Sequence, residues 1–457
     1  MTDIGSEDRP VLAEAPISAG LTQLAARFAV QASAFPAEVV EIAKLSIFDW
    51  FVVLHAGSAE PVSDVVRAVV RHERTQGESR AISLEAPVSA RSASYVNGTV
   101  SHALDYDDTH FGMVGHPTVA VFPAVLAVAQ EEGLSGRRLL DAFIIGVETS
   151  CRLGSYFGRR HYGAGFHQTA TSGTFGATAG VSRLLGLDED QTRHALGFAS
   201  TRASGLRSQF GTMGKPIHAG MAASNGVEAA RLAAFGGVSR PDGIECVEGF
   251  EETHQSGGGP VPDMYGPEAP FQLSDLKYKF HACCHGTHGP LEAALIAKSE
   301  LVGGADAVSR VILTVNPQWT NICCIPEPKT GLEVKFSLAT VIAMALLGVD
   351  TASPASFTDA LCDDLAVTAL ARRVDIVFQP DMPDTMTLAV VELTSGKRIE
   401  VTYDLMEPVG RDVLADKLRR KAKALLGADH AASLWAFVER LETLDSNALS
   451  RALRQRL

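Results

Sequence analysis

Aromatic residues are scarce in this chain: Phe, Tyr and Trp fill 7 % of its 457 positions. A core with so few rings must close on small and branched aliphatic side chains, and the 46 % hydrophobic content supplies them. Positive charge is also short, since 40 Lys and Arg face 53 Asp and Glu for a formal net charge of −13. That balance argues against a nucleic-acid binder, which would show a basic face. Long apolar runs are missing. Leu338 to Val349 lies between Lys335 and Asp350 and falls short of the ~18–20 residues a membrane span needs. Tyr162 to Ser182 carries no Asp, Glu, Lys or Arg, but its Gly, Thr and Ser content does not suit lipid. Met1 to Ala15 is acidic and polar, so no signal peptide is expected there. The seven cysteines include the adjacent pairs Cys283-Cys284 and Cys323-Cys324, a usage of reducing compartments rather than of a disulfide framework. The expected address is cytoplasmic, with neither membrane nor nucleic acid as partner.

Nucleotide signatures are absent as well. Gly211-Thr-Met-Gly-Lys215-Pro-Ile-His218 superficially suggests a phosphate loop, but Gln209 stands where its first glycine belongs and Pro216 where Ser or Thr should follow the lysine. No Gly-x-Gly-x-x-Gly follows a strand.

What is present is helix after helix. Pro36, Pro61 and Pro87 can open helices reaching about His55, Val70 and Ala103. Ser135 can cap Arg137 to Leu153, and Asp188 with Gln191 resembles a capping box. Ala219 to Phe235 is a small-residue helix suited to close packing. Thr253 to Pro270 interrupts the pattern. Beyond it, Val308–Val315, Val374–Phe378 and a hairpin of Leu388–Leu393 with Arg398–Tyr403 read as strands. Helices fit Pro290–Glu300, Ser337–Leu347 and Pro354–Cys362. After Pro408 helices return at Val413–Leu426, Ala431–Leu444 and Ala448–Arg454. The basic cluster Lys417, Arg419, Arg420, Lys421 and Lys423 reads as a solvated face. The expected architecture is mainly α: a helical domain built from both chain ends (16–270 and 409–457) with an inserted α+β lid domain (271–408).

Four stretches are dense in reactive side chains. His102-Ala-Leu-Asp105-Tyr-Asp107-Asp108-Thr109-His110, followed by His116-Pro117, fits a catalytic carboxylate–imidazole set, a metal site, or a solvated helix end. His167 stands alone in a Gly-rich segment. Lys215 and His218 open a small-residue helix, whose amino end favours a bound carboxylate. Lys279-Phe-His281-Ala-Cys283-Cys284-His285-Gly-Thr-His288 has zinc-type ligands but no zinc spacing, and Lys279 and His285 read better as anion-binding groups.

Together the stretches resemble the MmgE/PrpD family, which includes 2-methylcitrate dehydratase, cis-aconitate decarboxylase and iminodisuccinate epimerase. The residues that carry the resemblance are Asn97-Gly98, Asp105-Tyr-Asp-Asp-Thr109 with His116-Pro117, Gly165-Phe-His167-x-Thr169 and Lys215-Pro-x-His218. It implies a helical domain with an α+β lid, a homodimer, and a cleft site needing no organic cofactor and no metal. Catalytic positions then fall on Asp105, His116, His167, Lys215 and Lys279, and substrate-binding positions on Thr109, His218, Cys284 and His285. Two departures stand out. The decarboxylase has a histidine where this chain has Cys284, and a tyrosine where it has Thr340.

The implied activity is a hydro-lyase acting on a small di- or tricarboxylate by removing a proton beside a carboxylate. An epimerase or a decarboxylase of the same family is the alternative, and a metal-dependent hydrolase or a non-catalytic carboxylate binder are alternatives of other classes. A carbanion beside a carboxylate needs cationic neighbours, here Lys215, Lys279 and protonated histidines. A base tunable near neutral pH points to His116, with Asp105 orienting it. His167 or a lysine would protonate a departing hydroxyl.

Overall fold

A computed structural model describes residues 20–257 and 269–457. The readings made for Met1 to Ala15 and for much of the interruption before Pro270 lie outside the described residues. The amino-terminal part is a run of helices: α1 (Leu21–Gln31), α2 (Ala37–Gly57), α3 (Pro61–Glu73), α4 (Ala90–Ser101), α5 (Thr118–Glu131), α6 (Gly136–Gly163), α7 (Gln168–Leu185), α8 (Glu189–Ser200) and α9 (Gly214–Ala234). Their starts follow local chemistry. Pro36 precedes α2, Pro61 opens α3, the Ser89 side chain accepts from the Ser92 N–H at α4, and Asp188 with Gln191 forms a capping box at α8. The 28-residue α6 bends at Gly158, whose φ of 68° is left-handed.

Helices α4, α5, α7 and α9 pack on one another at the centre, and small residues permit the approach. A methyl on Gly98 of α4 would lie 2.9 Å from Gly220 Cα and 3.1 Å from the Ala219 oxygen of α9. Helix α7 buries sixteen of its residues, among them Gly173, Gly176 and Gly180. Such helices lie flush, so their ends can be brought together with little room for adjustment.

The chain ends in helices Arg411–Leu426, Ala428–Glu439 and Ser446–Arg454. Leu414, Leu418, Leu434, Phe437 and Val438 join the same apolar core as α2 and α5, so the carboxyl end docks back on the helical part. Leu273, Leu276 and Tyr278 also belong to that core, so the chain leaves it only around Phe280.

A second apolar cluster follows. Its sheet has the order β2-β1-β3-β4, with β1 (Val308–Val315), β2 (Val374–Phe378), β3 (Met386–Leu393) and β4 (Arg398–Asp404). β2 runs parallel to β1, while β3 is antiparallel to both β1 and β4. Alternate residues of β3 are buried beneath the helix His288–Ser299. The fold is therefore mainly helical with an α+β part.

Two readings of the sequence need correction. Pro354–Cys362 is not one α-helix but two short 3₁₀ helices, Pro354–Ser356 and Asp359–Asp363. Asp364 instead starts the helix Leu365–Ala371 by accepting from the Ala366 and Val367 N–H groups. The basic cluster is not uniformly solvated either. Arg419, Arg420 and Lys423 are exposed, but Lys421 is fully buried.

Candidate active site

Element ends from both parts of the fold meet around Asp105. It follows the end of α4 in a left-handed conformation, φ 51°, which a non-glycine residue adopts at a cost of about 1–2 kcal/mol. His116 lies two residues before α5, His167 is the residue before α7, and Lys215 lies in the first turn of α9. Lys279, Cys284 and His285 come from the segment that crosses to the second cluster, just ahead of the helix His288–Ser299. Amino ends of helices carry unpaired N–H groups and partial positive charge. The site thus gathers positive potential in a chain that is acidic overall.

Lys215 Nζ lies 2.8 Å from Asp105 Oδ2, and Lys279 Nζ lies 3.1 Å from Oδ1 and 2.5 Å from the Asp105 carbonyl oxygen. Lys279 is 4 % exposed, whereas the Asp105 side chain keeps 49 % of its surface, so this is the acid that opens to solvent. Burial by the surrounding protein would raise its pKa, but Lys215, then Lys279 and His116, hold it well below the usual carboxylate range.

His116 stands between two carboxylates. Its Nε2 is 3.4 Å from Asp105 Oδ1 and its Nδ1 is 3.0 Å from Asp107 Oδ2. Asp107 is buried and also receives His102 Nδ1 at 2.9 Å. Against the effect of burial, those two imidazoles keep it an anion. Burial pushes His116 below the ordinary histidine pKa despite the pull of Asp107, which leaves a neutral imidazole at pH 7, the form that accepts a proton. Asp108 behaves oppositely: buried near Asp107 and Asp49, it is pushed up to about 8, and its carboxyl meets Thr118 Oγ1 at 2.5 Å.

The remaining expected residues fall around this centre. His167 Nδ1 and His218 Nδ1 are 3.1 Å apart, and the His167 ring stacks on His102 at 6.0 Å. Burial, then the neighbouring His102 and Lys215, lowers His167 far below its ordinary value, so at neutral pH its ring is uncharged and is not poised as a general acid. Thr109 Oγ1 meets His285 Nδ1 at 3.1 Å. Cys284 is half-buried; hydrogen bonding with Cys323, then the Gly286 N–H and Lys279, draws its pKa down against burial. Cys283 is buried, and burial pushes its thiol up to about 12 although it accepts from Thr287 Oγ1 at 3.0 Å. Thr340 is turned away. It lines a separate cavity with Cys324, Leu361 and Val374.

Asp107 and His102 were not singled out by sequence reasoning. Their signal was position within the same dense run, but nothing local distinguishes the buried acid at 107 from the exposed acid at 105. Among the described residues, His102, Asp105, Asp107 and His116 place ligand atoms within 4.8 Å of one another. Two ammonium groups already hold Asp105, a disposition that suits an incoming anion better than a cation.

Comparison with known proteins agrees with the fold. Residues 22–261 match the MmgE/PrpD N-terminal domain and residues 281–443 the MmgE/PrpD C-terminal domain. The chain belongs to the MmgE/PrpD family. Among its relatives, the human cis-aconitate decarboxylase is 28 % identical over 375 residues, 77 % of each chain. A cis-aconitate decarboxylase of Aspergillus terreus is 31 % identical over 336 residues, 68 % of each chain. A cis-aconitate decarboxylase-like protein, oryM, of Aspergillus oryzae is 27 % identical over 455 residues, 92 % of this chain and 91 % of its own. Among the described residues no helix is long and apolar enough to cross a membrane.

Proposed function

We propose that this protein is a cofactor-independent lyase that removes a proton beside a carboxylate of a small di- or tricarboxylate and expels a hydroxyl group. The observation that carries the reading is His116: a neutral imidazole backed by the buried Asp107 anion and flanked by Lys215 and Lys279. In this mechanism the two ammonium groups leave Asp105 in part to bind substrate carboxylate. His116 Nε2 takes the proton from the adjacent carbon, and Asp107 stabilises the imidazolium that forms. The carbon's electron pair becomes the double bond, and the departing hydroxyl leaves as water with a proton from one of the lysines. His167, uncharged and paired with His218, serves to shape the pocket. The reading includes a homodimer.

Decarboxylation is the second reading, favoured by the names of the relatives. There the carbon–carbon bond breaks to CO2 and a protonated group must then supply hydrogen to the carbanion. A neutral His116 suits the first chemistry, and Cys284 in place of the decarboxylase's histidine weakens the second. Incubation with citrate, 2-methylcitrate and cis-aconitate in D2O, followed by NMR, separates them. Alkene formation or exchange of the proton beside a carboxylate supports the proposal. Loss of CO2 from cis-aconitate supports the second reading, and an unchanged panel refutes both.

A further inference from the structure

Lys421 does not belong to the substrate cleft, yet it reaches the backbone of the residue between the two acids that define it. The helix Arg411–Leu426 buries this ammonium completely. Its Nζ donates to the Tyr106 carbonyl oxygen at 2.6 Å, pairs with Asp49 Oδ1 of α2 at 2.6 Å, and lies 4.1 Å from the centre of the Tyr106 ring. Tyr106 is 2 % exposed and packs with the second apolar cluster, where its hydroxyl donates to the Ala352 carbonyl at 3.1 Å.

One residue is thereby fixed at carbonyl, ring and hydroxyl. Asp105 before it holds an unfavourable left-handed conformation, φ 51°, and Asp107 after it is the buried anion facing His116. A strained turn persists only where its surroundings over-determine it. A buried lysine is a costly anchor that loses rotamer freedom and hydration, and two strong acceptors on Tyr106 and Asp49 are what hold it. The exposed neighbours Arg420 and Lys423 show that the helix offers cations elsewhere without burying them.

We propose that Lys421 is a positioning residue: by holding the Tyr106 carbonyl, it fixes the turn that aims Asp105 at the cleft and Asp107 at His116. The carboxyl-terminal helix therefore sets the geometry of a site to which it contributes no substrate contact. This rests on the proposed roles of Asp105, Asp107 and His116.

The test compares Lys421→Met, the charge-balanced Lys421→Met/Asp49→Asn, and Arg420→Met as a control on the exposed face. The double variant leaves no unpaired buried charge, so it keeps the role measurable if the single variant unfolds. Two readouts are taken on folded protein. The first is the titration of His116 followed by NMR of the ring nitrogens, which needs no substrate. The second is kcat and KM on whichever acid of the D2O panel turns over. Displacing a catalytic group by about 1 Å costs roughly 100-fold, so a fall of that order in kcat is expected in the double variant, with KM within about threefold. The His116 midpoint should move up towards that of an ordinary histidine as the turn loosens and water enters. Arg420→Met should match the unaltered protein in both. A double variant with lower melting temperature but unchanged kcat and His116 titration overturns the proposal and leaves Lys421 a structural pair. If no acid of the panel turns over, the proposed function fails while the His116 titration still decides the role of Lys421.

Discussion

Replacing Asp107 by Asn isolates what the buried anion contributes. The carboxylate faces two imidazoles, with His102 Nδ1 at 2.9 Å and His116 Nδ1 at 3.0 Å. When His116 accepts a proton, a positive charge appears about 4 Å from the centre of that carboxylate. At an effective dielectric of ~20 such a pair attracts by about 4 kcal/mol. Asn keeps the shape and one acceptor, so the loss lies between about half of that and all of it, or roughly 30-fold to 1,000-fold in rate. A second effect acts in the same direction. The Asn amide donates to one of the two Nδ1 atoms; where that is His116, its proton moves to Nε2, the atom meant to act as base. The assay is kcat/KM against pH on the active acid, beside melting temperature to show that the fold persists. The acidic limb, which reports His116, should move to lower pH because the group that raises its pKa has gone. An Asp107→Asn enzyme within about threefold of the original rate, with an unmoved profile, would refute the role given to the pair.

Other groups respond in predictable directions. Asp108 has a raised folded-state pKa, about 8, so its contribution to stability is full below the unfolded carboxylate pKa and is lost as pH rises through about 8. Asp108→Asn should therefore gain stability relative to the original between pH 6 and pH 9 in urea unfolding; an unchanged difference between the two pH values would contradict it. Of the seven cysteines, Cys284 should be alkylated first by iodoacetamide near pH 7.5, and Cys283 should stay unmodified, as read by peptide mass spectrometry; equal or reversed labelling would show that the cluster around Cys284 does not activate it. Gly98→Ala should destabilise by about 1–3 kcal/mol through the α4–α9 contact, and an unchanged denaturation midpoint would mean that the helices separate freely.

Much of this architecture is written locally. Ser135 and Asp188 announce helix starts because their side chains accept the unpaired N–H groups there. β1 and β2 have the expected bounds because β-branched runs lie between turn residues. The failures have one physical source, namely partners distant in sequence. Lys421 looks like any member of a basic run until Asp49 and Tyr106 arrive from the opposite end of the chain. Asp105, Asp107 and Asp108 are equivalent as letters, and only the left-handed turn at Asp105 sends them to a cleft, an imidazole pair and a protonated pocket. The helix expected at Pro354–Cys362 fails because Asp364 caps the next one, a choice its apolar spacing does not encode.

In the proposed reaction Lys215 and Lys279, released in part from Asp105, receive the carboxylates of a small organic acid beside His116. A crystal structure with tricarballylate, a tricarboxylate that lacks the hydroxyl to be expelled, tests it most directly. One carboxylate should lie within hydrogen-bond distance of Lys215 or Lys279, with the adjacent carbon facing His116 Nε2. Tricarballylate bound away from all three, with Asp105 still holding both ammonium groups, would contradict it.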